Sequence, residues 1–267
     1  MVRMGLFTRR AKPAPASLGF SLDHASHAYV DGTLGLTPTT LMISEKRVAV
    51  VGLNGSGKST LLGLLDGTLL ASGGMVTLFG GGETIDPAAK RDKRRLEQVI
   101  GRVRREEIPN SFMQAKDIGQ AVEEKLKRAG FPESERHAIV GDLFAHFGLS
   151  DMARRGAGEL NAEQRHLLAI VAALAHSPAA IVADEPTKGL DERGAAHVAE
   201  ALFSYDRQVV FATHDMGLAT RPEYAVERVL VLDDKHVVFD GAPDEAVAFY
   251  DDLVRRRFEA LKAASRR

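Results

Sequence analysis

The chain contains no cysteine. That excludes disulfides, thiol nucleophiles and cysteine-ligated metal sites, and it leaves the compartment open. Long apolar runs are missing too. The longest, Leu167 to Ala175 (LLAIVAALA), is far shorter than the roughly 20 residues a bilayer-crossing helix needs. Nor is there an excess of one charge: 35 basic against 36 acidic residues give a net charge of -1, which favours no particular partner. The basic opening MVRMGLFTRRAKPAPAS lacks a continuous apolar core, so residues 1–17 are expected to form a disordered tail ending in an Ala-Pro linker, not a signal peptide. These absences predict a soluble chain whose membrane role, if it has one, is peripheral. At 267 residues it can bury a substantial core.

What is present alternates between two periodicities. Residues 18–52 read as strands broken by Asp31-Gly32 and Thr37-Pro38, and Lys46 to Val51 (KRVAVV) reads as a buried strand. Another strand is expected at Gly73 to Gly81. Asp86 to Arg105 is rich in arginine and lysine, and the basic run Lys90 to Arg105 is expected to be a solvated helix and loop face. It holds no aromatics, which argues against stacking on single-stranded nucleic acid. Asp117 to Ser177 has the 3.6-residue period of successive helices. Strands return at Ala179 to Asp184, Arg207 to Thr213 and Arg228 to Asp234, with helices at Asp191 to Ser204 and Ala242 to Lys262. Strand-helix alternation at both ends predicts a mostly parallel α/β sheet. The helical block at about 106–178 is expected to form an inserted subdomain within one domain spanning residues 18–267.

Three segments carry chemistry. Gly52-Leu53-Asn54-Gly55-Ser56-Gly57-Lys58-Ser59, followed by Thr60, fits the phosphate-binding loop G-x-x-x-x-G-K-[ST] between a strand and a helix. Its glycines let successive N–H groups face phosphate oxygens, and the helix start adds a positive dipole end. Lys58 is placed to reach the β- and γ-phosphates, and Ser59 to ligate Mg²⁺. In Ile181 to Pro186 (IVADEP), an apolar strand delivers Asp184 at its carboxyl end, where it would hold Mg²⁺. Glu185 follows as a candidate general base for the attacking water. Ala212 to Asp215 (ATHD) brings His214 to the end of what should be the neighbouring strand, within reach of the γ-phosphate. A further stretch, Leu160-Asn161-Ala162-Glu163-Gln164, can be read in two ways. Asn161 and Gln164 form a capping-box pattern before an apolar run, so it is either a plain helix start or a phosphate-binding turn that has lost its glycines.

Taken in order, GLNGSGKST, LNAEQ, DEPTKGLD and ATHD resemble the nucleotide-binding subunits of ABC transporters, over roughly residues 18–250. The resemblance implies a P-loop NTPase fold of ABC type: a mostly parallel core sheet, a small antiparallel β subdomain and an inserted helical subdomain. It implies that Tyr29 stacks on adenine, that Asp191 lies in a dimer-contact loop, and that LNAEQ stands where the family signature LSGGQ docks on the γ-phosphate of the opposite subunit. LNAEQ is then both a helix cap and a modified signature. Ala162 and Glu163 replace two glycines. At about 4 Å and an effective dielectric near 20, the added carboxylate would repel a phosphate charge by roughly 4 kcal/mol before screening, unless it turns away along the helix. An ungapped reading also puts Arg105 where the family's loop at the lobe junction carries a glutamine. Gln98 and Gln114 stand nearby at other spacings.

The resemblance further implies ATP and Mg²⁺ as ligands, ATP hydrolysis by a dimer, and a separate transmembrane subunit contacted through a coupling helix at the cytoplasmic face of the membrane. ADEPTKGLD and the tail DGAPDEAVAFYDDL look most like the ATPases of energy-coupling-factor importers, which serve vitamins such as biotin, or cobalt and nickel. One alternative is an asymmetric partner in a heterodimer, where this degenerate signature faces the other subunit's nucleotide. The other is a soluble ABC ATPase acting on nucleic acid or ribosomes. The absence of paired domains and of a long coiled-coil insertion disfavours it.

Overall fold

Two sheets organise the chain. The computed structural model describes residues 14, 15, 17–104 and 108–264. Its first part runs β1 (Gly19–Ala28), β2 (Leu34–Ile43), β3 (Arg47–Gly52), α1 (Lys58–Leu65), β4 (Gly73–Gly80), β5 (Glu83–Ile85), α2 (Lys93–Val99) and β6 (Ile100–Arg104). A helical stretch follows: α3 (Asn110–Gln114), α4 (Ile118–Arg128), α5 (Glu133–His146) and α6 (Ala162–Leu174). The rest runs β7 (Ala180–Asp184), α7 (Glu192–Phe203), β8 (Gln208–Thr213), α8 (Met216–Thr220), β9 (Arg228–Asp233), β10 (His236–Gly241) and α9 (Pro243–Ala264).

The larger sheet has the order β10-β9-β3-β8-β7-β6 and is parallel except for β10. All six residues of β3 are buried, as expected of a central strand covered on both faces. Alternate side chains divide between two cores. Val48 and Val50 face α1 and the smaller sheet, while Ala49 and Val51 face the core that includes α6 and α7. The smaller sheet, β2-β1-β4-β5, is antiparallel throughout. Between the sheets lies α1, with Leu61, Leu64 and Leu65 fully buried. Each is worth about 1.5–3 kcal/mol of burial, which pins the residues at the start of the helix.

The expected solvated helix and loop face at Lys90 to Arg105 holds for its first part, where Lys90, Arg91, Lys93 and Arg94 are exposed, and is corrected from Ile100 on. Only α2 is helical there, and Ile100 to Arg104 is an edge strand paired in parallel with β7, with Ile100, Gly101 and Val103 buried. Arginines at alternate positions mask the strand pattern. Arg102 and Arg104 both reach the buried carboxylate of Asp66 at the end of α1, at 3.5 and 3.2 Å. Strands β5 and β10 also carry no mark in the sequence reading. Most of the expected N-terminal tail lies outside the described residues, but its linker end is held in place. Arg207 donates to the Pro15 carbonyl at 2.9 Å, and Ala14 packs against the core. Among the described residues no helix is long and apolar enough to cross a membrane.

Candidate functional site

The carboxyl ends of β3, β7 and β8 carry the site. Past β3 the chain turns through Leu53 to Gly57 into α1. Gly57 caps the helix with φ of 105°, and a Cβ there would come 2.9 Å from the Gly35 carbonyl oxygen, so only glycine fits without strain. Lys58 folds back over the loop. Its Nζ donates to the carbonyls of Gly52 (2.7 Å) and Leu53 (3.1 Å) and lies 4.0 Å from Glu185 Oε1. Ser59 is exposed in the first turn of α1, and the Ser56 hydroxyl is buried without a hydrogen-bond partner. Asn54, Gly55 and Ser56 line a shallow cleft of about 400 Å³ with Asp233, Asp234, Lys235 and Arg257.

The register of β7 against β8 pairs Asp184 with Ala212, so the residues that follow, Glu185 and His214, meet across neighbouring strands. His214 Nδ1 lies 2.8 Å from Glu185 Oε2. Glu185 is buried and its N–H donates to the Ala212 carbonyl at 3.0 Å. Its φ of 51° is a left-handed conformation that costs a non-glycine residue on the order of 1 kcal/mol or more. Such strain persists only where neighbours hold the backbone, and here the β8 carbonyl and His214 do so. Asp184 Oδ1 is buried with no hydrogen-bond partner. On α9, Tyr250 is buried, and its hydroxyl pKa is raised first by burial and then by the Glu185 and Asp251 charges. Nothing in the sequence reading pointed to Tyr250.

The residues present fit a magnesium-bound nucleoside triphosphate. Two buried oxygens without partners, on Ser56 and Asp184, are expensive unless a ligand or ion completes them. The loop cannot accept a Cβ at Gly57. Among the described residues no cluster of three or more His, Asp or Glu side chains could hold a metal. A Mg²⁺ ion would therefore take one carboxylate, one hydroxyl and phosphate oxygens, its usual arrangement in nucleotide sites. Tyr29 follows β1, half-exposed, with its hydroxyl 2.9 Å from Thr60 Oγ1 and its ring edge-to-face with His27 at 4.8 Å. Thr60 is buried and its hydroxyl is engaged there, so it touches a nucleotide only if that pair opens.

The LNAEQ segment lies on a different surface. Asn161 caps α6: Gln164 N–H donates to Asn161 Oδ1 (2.8 Å), and Asn161 N–H donates to Gln164 Oε1 (3.0 Å). The cap occupies the Asn161 carbonyl and leaves its amide nitrogen as a donor. Leu160 is buried beneath, and Ala162 is the first residue of the helix. Glu163 turns outward, as one branch of the sequence reading allowed, and its Oε1 lies 2.5 Å from His197 Nδ1 on α7. Asp191 caps α7, accepting from Gly194 N–H at 2.8 Å. A cavity of about 670 Å³ is lined by Glu163, Asp191, Arg193, Gly194 and His197. No sequence signal marked His197, because its partner lies 34 residues away on another helix. Arg105 lies outside the described residues. Of its two glutamine alternatives, Gln98 falls in α2 and Gln114 ends α3.

A family model described as ABC transporter matches residues 39–188, more than half of the chain. The chain is 30% identical to the biotin transport ATP-binding protein BioM of Rhizobium etli, with 82% of this chain and 92% of that protein covered. It is 31% identical to the energy-coupling factor transporter ATP-binding protein EcfA of Methanothermobacter thermautotrophicus, with 86% and 73% covered. Further relatives are named only as putative ABC transporter ATP-binding proteins. Among solved structures, CbiO1 of Clostridium perfringens, part of the ABC transporter complex CbiONQ, matches with a TM-score of 0.73 and 26% identity, over 89% of this chain and 93% of that one. With the loop, the strand-end acids and the helix cap arranged as described, the chain belongs to the ATP-binding proteins of ABC transporters and is an ABC-type ATPase.

Proposed function

We propose that this chain is the ATPase of an energy-coupling-factor type importer: as a dimer it hydrolyses ATP and so drives uptake of a vitamin or a transition metal ion through a separate membrane subunit. The observation that carries the hydrolytic part is the buried Glu185 carboxylate, held by His214 at 2.8 Å and lying 4.0 Å from Lys58. Lys58 lies ready to exchange the Gly52 and Leu53 carbonyls for phosphate oxygens, a neutral acceptor for a charged one. Glu185 orients and polarises the attacking water, and His214 holds that carboxylate and faces the γ-phosphate. Ser59 and Asp184 would hold Mg²⁺, which would supply positive charge against that developing on the phosphates. Tyr29 stacks on the adenine. Leu160 to Gln164 and Asp191 meet the nucleotide and the cassette of the opposite subunit, so that ATP binding closes the dimer and hydrolysis reopens it. The importer subtype is supported by the names of BioM and EcfA, and a membrane-bound complex by that of CbiO1.

A membrane subunit would place the chain at the cytoplasmic face of the membrane, peripherally, with motion passing through the segment after β6 into a coupling helix. The test is to identify the proteins that co-purify with the chain from detergent-solubilised membranes, and to measure ATP-dependent self-association of the Glu185→Gln protein. An integral membrane protein together with an ATP-trapped homodimer is expected. Full turnover only after a second cassette is added would favour the heterodimer. Salt-sensitive binding to DNA or ribosomes without a membrane protein would favour the soluble alternative.

A further inference from the structure

We propose that His197 is a positioning residue for the signature turn: by binding Glu163 it keeps that carboxylate away from the start of α6, where the opposite subunit's γ-phosphate docks. This rests on the reading that two cassettes close with Leu160 to Gln164 against each other's nucleotide. Glu163 is the second residue of α6. The free N–H groups and dipole of a helix start attract a carboxylate and a phosphate alike, so a glutamate here competes with the phosphate for the same place. Its side chain has two directions open, over its own helix start or across to α7.

The structure takes the second direction. Glu163 Oε1 meets His197 Nδ1 at 2.5 Å, and Gly194, one turn earlier on α7, lies beside the same carboxylate. The other charged groups around the shared cavity are Asp191, Arg193 and Glu200, and none of them forms a hydrogen bond with Glu163 or His197 among the described residues. Both partners of the pair are partly exposed, with side-chain exposures of 52% for His197 and 38% for Glu163. Their attraction is therefore of the same small size as that of the helix start. With the two so closely balanced, losing His197 hands the carboxylate back to α6.

The test is steady-state ATP turnover by the full-length chain, with thermal melting as a check on folding. His197→Ala should lower kcat/KM about two- to threefold, a loss of roughly 0.4–0.7 kcal/mol. His197→Asn, which keeps an N–H donor in place of Nδ1, should recover most of that loss. The decisive variant is the double one: His197→Ala with Glu163→Gln should perform like Glu163→Gln alone, since no charge is left to misplace. A merely structural histidine would leave the double variant as impaired as His197→Ala, which overturns the proposal, and so does unchanged turnover in His197→Ala. Ala162→Glu separates the two readings, because it puts an unpartnered carboxylate on the same turn. Unimpaired turnover there would mean that the docking reading has failed, and this inference with it. Impaired turnover there beside a neutral His197→Ala would reject the inference alone.

Discussion

Lys58 and Glu185 have side-chain exposures of 6% and 5%, whereas His197 and Glu163, the hydrogen-bonded pair between α6 and α7, stand at 52% and 38%. The first pair belongs to the ends of parallel strands, where ladder hydrogen bonds and two packed cores fix each backbone position. Glu185 is held there even in a left-handed conformation. The second pair bridges the start of α6 and the middle of α7 on the surface. Lys58 and Glu185 meet in the buried ends of the core strands, while Glu163 and His197 lie on the surface, so their side chains are set by contacts of low energy. The contrast teaches that buried strand ends hold one arrangement of their side chains, while an exposed helix start such as that of α6 leaves its side chains a choice of partners.

Variants at the two ends sharpen this contrast. Glu185→Gln should have the largest effect, lowering kcat by about 10²- to 10⁴-fold while ATP binding survives, as measured by turnover beside equilibrium titration. A small loss would move the general base elsewhere and dissolve the distinction. Lys58→Ala should weaken ATP binding by about 1.5–3 kcal/mol, roughly ten- to a hundredfold, in calorimetric titration. Undiminished affinity would contradict the exchange of loop carbonyls for phosphate.

Acid should destabilise the fold from the far end of α6. His176, just past the end of α6, has its pKa lowered to about 3 from an ordinary 6.5, first by burial and then by the charge of Lys125. Between those two values the unfolded chain takes up a proton that the folded chain refuses, so stability falls as pH drops through that window and the group is silent above it. At pH 5 the loss is about 2 kcal/mol relative to pH 7, readable by urea unfolding, and His176→Leu should flatten that slope. Asn161→Ala should have the smallest effect. Removing the cap costs about 1 kcal/mol of stability in the same assay.

Much of this was legible beforehand because the signals are local. The loop from Gly52 to Ser59 needs glycines at set spacings, β7 needs an apolar run ending in Asp184, and the Asn161–Gln164 cap spans four residues. Two things escaped for opposite reasons. Strand β6 was read as a solvated face because Arg102 and Arg104 interrupt its apolar residues, and only the fold brings them to Asp66, 36 and 38 residues away. His197 escaped because a histidine on a helix carries no mark until another helix presents it with a carboxylate.

By itself, then, the sequence determined that this chain builds a phosphate loop and a strand-end acid pair, because those depend on backbone requirements that a few neighbouring residues state. The tertiary structure alone decided that His214 grips Glu185, that β6 completes the sheet, and that Glu163 leans onto α7 away from its own helix start. Each of those depends on a partner far away in the chain, and only the packing of distant segments brings that partner within reach.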